Sequence, residues 1–272
     1  MWKAARVEIP VDSAHQPGRS NDELNEGVTT LPPRGRTVTD ELFTETSDAG
    51  ANRTYSLLNV GFRDLGDPGR PRRLDVHAVL FDMDGTLVES AAAMDRHTRM
   101  WAERHSLDPE AVIRVSHGRR DIDVIRELAP YADPHAELAW FDHLSCTDAD
   151  GVHAAPGAPG LLGTLPPRRW GVVTSATRSV ARSRMAAAGL PLPDVLVCAE
   201  DVADGKPSPE GYLAAAGRVG APPSRCLVIE DAEAGLAAAR AAGMPALAVA
   251  GPPGPVHGHR IAGLDALSVT AD

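Results

Sequence analysis

The sequence predicts an α/β protein in which a parallel sheet carries helices on both faces and a small all-helical domain is inserted. Five short apolar runs, rich in Val, Leu and Ile, have the length of strands that are buried on both faces. Helical stretches that end in glycine separate the later runs, and such alternation is typical of parallel sheets. Residues 92–155 instead show helical periodicity without a convincing strand, which predicts the insert.

The beginning of the chain differs from the rest. It contains Pro-Pro, Gly and Arg clusters with little periodicity, which predicts a mostly disordered N-terminal extension over residues 1–73. Within it, the stretch 53–62 is compatible with a short strand or a helix. A docking segment is the alternative interpretation of this extension.

The sheet domain is expected to comprise residues 74–91 and 156–272, and the all-helical domain, 92–155, lies between its first two strands. After the insert, strands and helices are expected to alternate to the end of the sheet. The strands are predicted at 76–81, 170–174, 194–198, 226–230 and 246–250, and the later helices at 178–189, 208–220 and 231–243.

Composition excludes several classes of function. The chain of 272 residues has a net charge of −10 and no basic stripe, which argues against a nucleic-acid partner. No apolar run approaches the length that crosses a membrane, and no signal-peptide pattern is visible, so we expect a cytoplasmic protein without membrane association. The three cysteines lie far apart with no C-x-x-C spacing, which favours reduced thiols.

Acidic residues follow the ends of two predicted strands, and ligands of open α/β sheets bind beyond such ends. The first strand leads into Asp82 and Asp84, and the fourth into Glu230 and Asp231. Four carboxylates at close range repel one another unless a cation lies between them, and Mg²⁺ prefers oxygen ligands. The sequence therefore predicts a magnesium site formed by these four acids.

Other strand ends supply groups that suit a phosphoryl group. Thr174 and Ser175 offer hydroxyl and amide donors, and Lys206, the single lysine beyond Lys3, offers a positive charge. Asp82 is placed to act as a nucleophile, and the acid two residues later can protonate the leaving oxygen and then accept a proton from water. The D-x-D spacing lets both carboxylates point the same way on an extended chain.

Four motifs occur along the chain in the order FDMDGTL, VVTSAT, GKPSPEGY and VIEDAEAG. Together they resemble the haloacid dehalogenase-like superfamily of phosphohydrolases, over about residues 76–250. The resemblance implies a Rossmann-like sheet core with a helical cap domain inserted after the first motif. It also implies a nucleophile at Asp82, an acid/base at Asp84, and phosphate binding by Thr174 and Lys206. The metal ligands that it implies are Asp82, Asp84, Asp231 and, through water, Glu230.

Two observations narrow the reaction within this superfamily. Asp84 argues against true dehalogenases, which lack the second aspartate, and the absence of lysine from 92–155 argues against phosphonate cleavage through a Schiff base. The segment 115–133 resembles its counterpart in glycerol-phosphate phosphatases and bacterial sugar-phosphate phosphatases. Three residues in it are candidates for the cap face that closes on the substrate, and an exposed polar loop is the alternative; they are His117, Arg119 and Arg120.

We therefore expect an Mg-dependent phosphatase that hydrolyses a small phosphorylated polyol or sugar through an aspartyl-phosphate intermediate. Glycerol phosphate, a hexose phosphate or a related cyclitol phosphate would fit. A sugar phosphomutase of the β-phosphoglucomutase type would keep the same four motifs, and a catalytically silent protein that binds a phosphorylated ligand is the non-enzymatic alternative. The sequence does not choose among the substrates or predict the oligomeric state.

Overall fold

The computed structural model describes residues 57–249 and 259–271. Within these ranges the strands are β1 (Leu58–Asp64), β2 (Asp67–Val76), β3 (Ala78–Phe81), β4 (Val88–Glu89), β5 (His153–Ala154), β6 (Trp170–Val173), β7 (Val195–Val197), β8 (Cys226–Glu230), β9 (Ala246–Val249), β10 (His259–Ile261) and β11 (Ser268–Ala271). The α-helices are α1 (Ala91–Arg104), α2 (Pro109–Ser116), α3 (Asp121–Leu128), α4 (Pro134–Thr147), α5 (Ala158–Thr164), α6 (Arg178–Ala187), α7 (Glu210–Val219) and α8 (Glu233–Ala241).

Six strands form a parallel sheet in the order β10-β9-β8-β3-β6-β7. The strand β3 lies at its centre, and all four of its residues are buried. Its side chains alternate between two cores: Val79 and Phe81 pack with residues of α5 and α6, and Ala78 and Leu80 pack with residues of α7 and α8. Strand and helix alternation therefore produces the predicted Rossmann-like α/β sheet with helices on both faces, and this prediction is confirmed.

The four helices α1 to α4 lie between β3 and β6 and form a separate small core. The indole of Trp101 is fully buried there, beside Val112, Ile125 and Phe141. We call this all-helical part, residues 91–147, the helical cap. The short antiparallel strands β4 and β5 pair where the chain leaves the sheet for the cap and where it returns.

The strands β1 and β2 correct the predicted N-terminal extension. Disorder through residue 73 is wrong for residues 58–73, because β1 pairs antiparallel with both β2 and β11. The alternating residues Leu58, Val60 and Phe62 are buried in the same core as Phe81. The apolar alternation stabilises this segment as a strand, and its partner β11 comes from the other end of the chain. Residues 1–56, which carry the rest of the predicted extension, lie outside the described residues.

The search for membrane-spanning helices covers the same described ranges. None of the helices there has both the length and the apolar character that a membrane span requires.

Candidate active site at the carboxyl ends of the parallel strands

Three carboxylates meet where β3 and β8 end. These strands are paired neighbours in the sheet, with Phe81 opposite Ile229, so the residues that follow them are adjacent. Asp82, Glu230 and Asp231 each offer an oxygen atom within 4.8 Å of the others. Glu230 is fully buried and Asp82 nearly so. We call this group the carboxylate trio.

Lys206 approaches the trio from the loop that precedes α7. Its Nζ atom donates a hydrogen bond to Asp82 Oδ1 and another, of 2.6 Å, to Glu230 Oε1. The ammonium group also lies over the ring of Tyr212, 5.4 Å from its centroid, and the Tyr212 hydroxyl donates to Glu230 Oε1 at 3.4 Å. The lysine side chain is only 7% exposed, so its charge acts with little solvent screening.

Burial and mutual repulsion shift the acidity of the trio. Burial is the largest cause that raises the pKa of Asp82 well above its ordinary value; Lys206 opposes this shift, and Glu230 and Asp231 add to it. Burial and the charge of Glu230 raise the pKa of Asp231 to about 7. Burial disfavours the charged form of Lys206, but Asp82 and Glu230 outweigh it and hold its pKa above the ordinary range. With all three acids ionised, the trio would carry more negative charge than the lysine alone offsets.

The donor set of the trio fits a magnesium ion. Carboxylate oxygens are the hard ligands that Mg²⁺ prefers, and a divalent cation would offset both the burial and the mutual repulsion that raise these pKa values. Two glycines let the carboxylates come this close to the backbone. A Cβ atom on Gly85, whose φ is +85°, would lie 2.1 Å from Asp231 Oδ2, and one on Gly235 would lie 1.5 Å from Glu230 Oε1.

The side chain of Asp84 does not belong to the trio. Its Oδ1 atom accepts a 2.6 Å hydrogen bond from Ser90 Oγ, and its Oδ2 atom accepts a 2.8 Å bond from Arg184 Nη1. Ser90 immediately precedes α1, and Arg184 lies on α6 with its side chain only 8% exposed. The carboxylate of Asp84 is therefore held in a fixed orientation by groups from both sides of the site.

Thr174 and Ser175 follow β6 and are adjacent to the site. The Thr174 Oγ1 atom accepts a hydrogen bond from the amide of Ala176 at 3.1 Å, which leaves its hydroxyl proton free to donate. The Ser175 hydroxyl donates to the carbonyl oxygen of Gly118 in the cap at 2.9 Å. The Ser175 side chain therefore connects the sheet domain to the cap.

The three predicted cap residues do not all face the cavity. His117 and Arg119 line the cavity in front of the trio, with the His117 side chain 68% exposed. Arg119 donates to Glu127 Oε2 at 2.7 Å. Arg120 is buried and reaches the sheet domain, where Nη1 donates to the carbonyl oxygens of Val202 and Ala203 at 3.1 and 3.0 Å. Arg120 therefore connects the cap to the loop that carries the lysine.

The trio opens into a cavity of about 610 Å³ between the sheet domain and the cap. The sheet domain contributes Asp82, Asp84 and Thr174, and the cap contributes residues of α1, α3 and α4. A cavity of this size accommodates a small molecule whose reactive group contacts the trio and whose remainder contacts the cap.

The sequence interpretation missed several residues of this site. Arg184 could have been found, because it shares the spacing of the buried residues Val180, Ala181 and Met185 on α6. No comparable signal marks Asp121, which looks like an ordinary acidic residue in the first turn of α3. Ser90 and Tyr212 were also missed: Ser90 donates to Asp84, six residues earlier, and Tyr212 donates to Glu230 of a different motif.

Comparison with known proteins places the cap and most of the sheet domain in one family. The model of the haloacid dehalogenase-like hydrolases matches residues 76–243. Hexitol phosphatase A of Escherichia coli (strain K12) is 43% identical over 178 residues, which are 64% of this chain and 82% of the relative. Glycerol-1-phosphate phosphohydrolase 2 of Saccharomyces cerevisiae is 35% identical over 198 residues, 68% of this chain and 79% of the relative.

Solved structures give the same result. A hydrolase from Pseudomonas syringae superimposes with a TM-score of 0.57 at 26% sequence identity, covering 63% of this chain and 83% of that one. Fold, motif order and site geometry agree with the family match. The chain therefore belongs to the haloacid dehalogenase-like hydrolases.

Proposed function

We propose that this enzyme is a phosphatase that hydrolyses a small phosphorylated polyol or sugar, with Asp82 as the nucleophile. The observation that carries the proposal is the buried carboxylate trio, bonded to Lys206 and facing a cavity of about 610 Å³. The relatives named above act on a hexitol phosphate and on glycerol 1-phosphate, which supports a substrate of this class.

The buried lysine would neutralise charge on the phosphoryl group as it is transferred. Lys206 contacts Asp82 directly, so a phosphoryl group bound to that carboxylate lies within reach of the ammonium. A fixed positive charge in a buried site stabilises developing negative charge without reorganisation. The Thr174 hydroxyl, with its proton free, supplies a further donor.

The trio would hold Mg²⁺, because its oxygens fit that ion; the carboxylate of Asp84, which the sequence also predicts as a ligand, is instead bonded to Ser90 and Arg184. When bound, the ion would offset phosphate and carboxylate charge and orient the ester. Asp82 would attack phosphorus through a carboxylate oxygen, the P–O bond to the alcohol would break, and an aspartyl phosphate would form.

Asp84 would serve as general acid and then as general base. It would give a proton to the departing alcohol oxygen, and later accept one from the water that hydrolyses the aspartyl phosphate. Ser90 and Arg184 hold its carboxylate in place. Two expectations from the sequence remain predictions: a cytoplasmic location, and the binding of small molecules without a nucleic-acid or membrane partner.

The test is phosphate release from glycerol, hexitol, hexose and cyclitol phosphates and from p-nitrophenyl phosphate, with Mg²⁺ and with EDTA. We expect release that depends on Mg²⁺ and is confined to one group among the natural esters. Asp82→Asn should abolish release and keep the fold, because the change is nearly isosteric. Asp133→Asn, at the N-cap of α4, is the matched control, since Asn also caps helices well.

Two results would contradict the proposal. An Asp82→Asn variant with wild-type turnover would exclude the covalent mechanism. An isomerised sugar phosphate without free phosphate would indicate the phosphomutase instead.

A further inference from the structure

The cavity wall beyond the trio carries more carboxylates than available cations. Its guanidinium groups belong to Arg119 and Arg184, and each already contacts a carboxylate, at 2.7 and 2.8 Å. His97 also lines the cavity, and burial, the largest cause, lowers its pKa, which favours a neutral ring. The acids on this wall are Asp84, Asp95, Asp121 and Glu233.

Among the described residues, the carboxylates of Asp121 and Asp95 on this wall accept no hydrogen bond; Asp95 lies 4.0 Å from His117 Nε2 and is more exposed, whereas Asp121 is half-buried. Asp123, two residues along the same helix, accepts two bonds from Arg120, and Asp142 on α4 accepts bonds from Thr177 and Ser179. Among residues 57–249 and 259–271, no hydrogen bond reaches the side chain of Asp121. Burial, with Asp84 and Asp142 nearby, raises its pKa to about 6, and Arg184 opposes this.

Asp121 is half-buried and opens onto the cavity, so a ligand that fills the cavity excludes water from its carboxylate, and donors on the ligand must then replace the water. Asp121 faces the cavity in front of the trio, so the part of a substrate remote from the phosphate lies within its reach. Hydroxyl groups are neutral donors that can satisfy a carboxylate. A second phosphate or a carboxylate on the substrate would instead meet Asp121 as a like charge, with both guanidinium groups already paired.

We infer that Asp121 is a specificity-determining residue that accepts hydrogen bonds from hydroxyl groups of the substrate. The site accordingly takes a single phosphate ester with a neutral, hydroxylated tail, and disfavours bisphosphates and phosphorylated acids. This inference rests on the proposed phosphatase function. It concerns the tail of the substrate alone and assigns Asp121 no part in bond cleavage.

The test compares esters that differ only in their hydroxyl groups. Sorbitol 6-phosphate is paired with hexyl phosphate, and glycerol 3-phosphate with propyl phosphate, so that chain length is constant. Fructose 1,6-bisphosphate tests the second charge, and p-nitrophenyl phosphate reports the chemical step without a hydroxylated tail. The proteins are the wild type, Asp121→Asn, Asp121→Ser and the control Asp133→Asn.

We expect the wild type to prefer the hydroxylated member of at least one pair, and to turn over the bisphosphate poorly. Both Asp121 variants should lose about tenfold or more in kcat/KM on that member, mainly through KM, as expected for a hydrogen bond to a charged group. Their activity on the matched alkyl phosphate and on p-nitrophenyl phosphate should change less than about twofold. The control variant should match the wild type on every ester.

An equal loss on both members of a pair, or no loss on either, would overturn the inference. So would a wild type that prefers the bisphosphate, or one that cleaves p-nitrophenyl phosphate and neither hydroxylated ester; in these cases hydrolysis of phosphate esters stands and the assigned substrate tail is wrong. A folded wild type that releases phosphate from no ester, p-nitrophenyl phosphate included, would overturn the proposed function itself.

Discussion

Lys206 has two carboxylate partners, Asp82 and Glu230, and almost no exposed surface. A lysine in apolar surroundings tends to lose its proton, but here the neighbouring charges outweigh burial and keep the pKa high. The residue therefore acts as a fixed cation between a buried acid and the candidate nucleophile. Such a cation is useful to a reaction that brings a negatively charged phosphoryl group to Asp82.

Replacing this cation should impair catalysis far more than replacing its neighbour. We expect Lys206→Met to lower kcat/KM on the best ester by about two orders of magnitude or more, as the loss of a preorganised electrostatic donor does. Tyr212→Phe is the control: it keeps the ring beneath the ammonium and removes only the hydroxyl that contacts Glu230 at 3.4 Å. Steady-state kinetics on both variants measures the difference. A loss below tenfold in Lys206→Met would show that the lysine does not act on the phosphoryl group.

The elements differ in how far their sequences reveal them. The strands β3, β6, β7, β8 and β9 coincide closely with the predicted apolar runs, because each is a short Val-rich, Leu-rich or Ile-rich segment buried on both faces. The hairpin of β1 and β2 was not predicted. Its second strand has the sequence DPGRPRRLDV and is mostly exposed, so it lacks the pattern of a buried strand. The first strand, β1, also pairs with β11 at residues 268–271, and this pairing stabilises the hairpin instead.

This hairpin should contribute to global stability if its apolar face is part of the core. Phe62 is 4% exposed and belongs to the same core as Phe81. We expect Phe62→Ala to lower the free energy of unfolding by about 3–5 kcal/mol, as for other buried aromatic residues. Arg70→Ala, at an exposed position of β2, is the control and should change it by less than about 0.5 kcal/mol. Urea unfolding measures the free energy of unfolding of both variants. If Phe62→Ala is as stable as Arg70→Ala, the hairpin does not pack on the core.

At the scale of the whole molecule, contacts between cap and sheet domain surround the site. The Arg120 guanidinium binds two carbonyls of the loop before Lys206, the Ser175 hydroxyl binds the carbonyl of Gly118, and the Thr177 hydroxyl donates to Asp142 at 2.9 Å. These bonds attach the cap to the two loops expected to bind phosphate. The position of the cap and the geometry of the phosphate site are therefore coupled.

Binding of magnesium should stabilise the whole fold, since it relieves the repulsion within the trio. At a concentration near 100 times Kd, we expect about 2.7 kcal/mol of added stability. For a chain of this size, that raises the thermal midpoint by roughly 5–10 °C. Asp231→Asn, which removes one carboxylate of the trio, should show a clearly smaller rise, and Asp133→Asn should behave as the wild type.

Scanning calorimetry with MgCl₂, with EDTA, and with NaCl at equal ionic strength measures the effect. If MgCl₂ and NaCl shift the wild-type midpoint equally, the trio does not bind the ion.

Local patterns determined the parallel sheet, the helical insert and the strand ends, so Asp82, Asp84, Lys206 and the Glu230–Asp231 pair were predictable. Spacing of this kind depends on strand and helix periods, which neighbouring residues establish. The tertiary structure alone decided that Arg184 contacts Asp84 from 100 residues away, that Arg120 is directed to the sheet domain, and that Asp121 faces the cavity with no donor from the part of the chain that the structure describes. These outcomes depend on which distant segments meet, because a polar side chain takes its partners from the packing around it, and a local pattern carries no record of that packing.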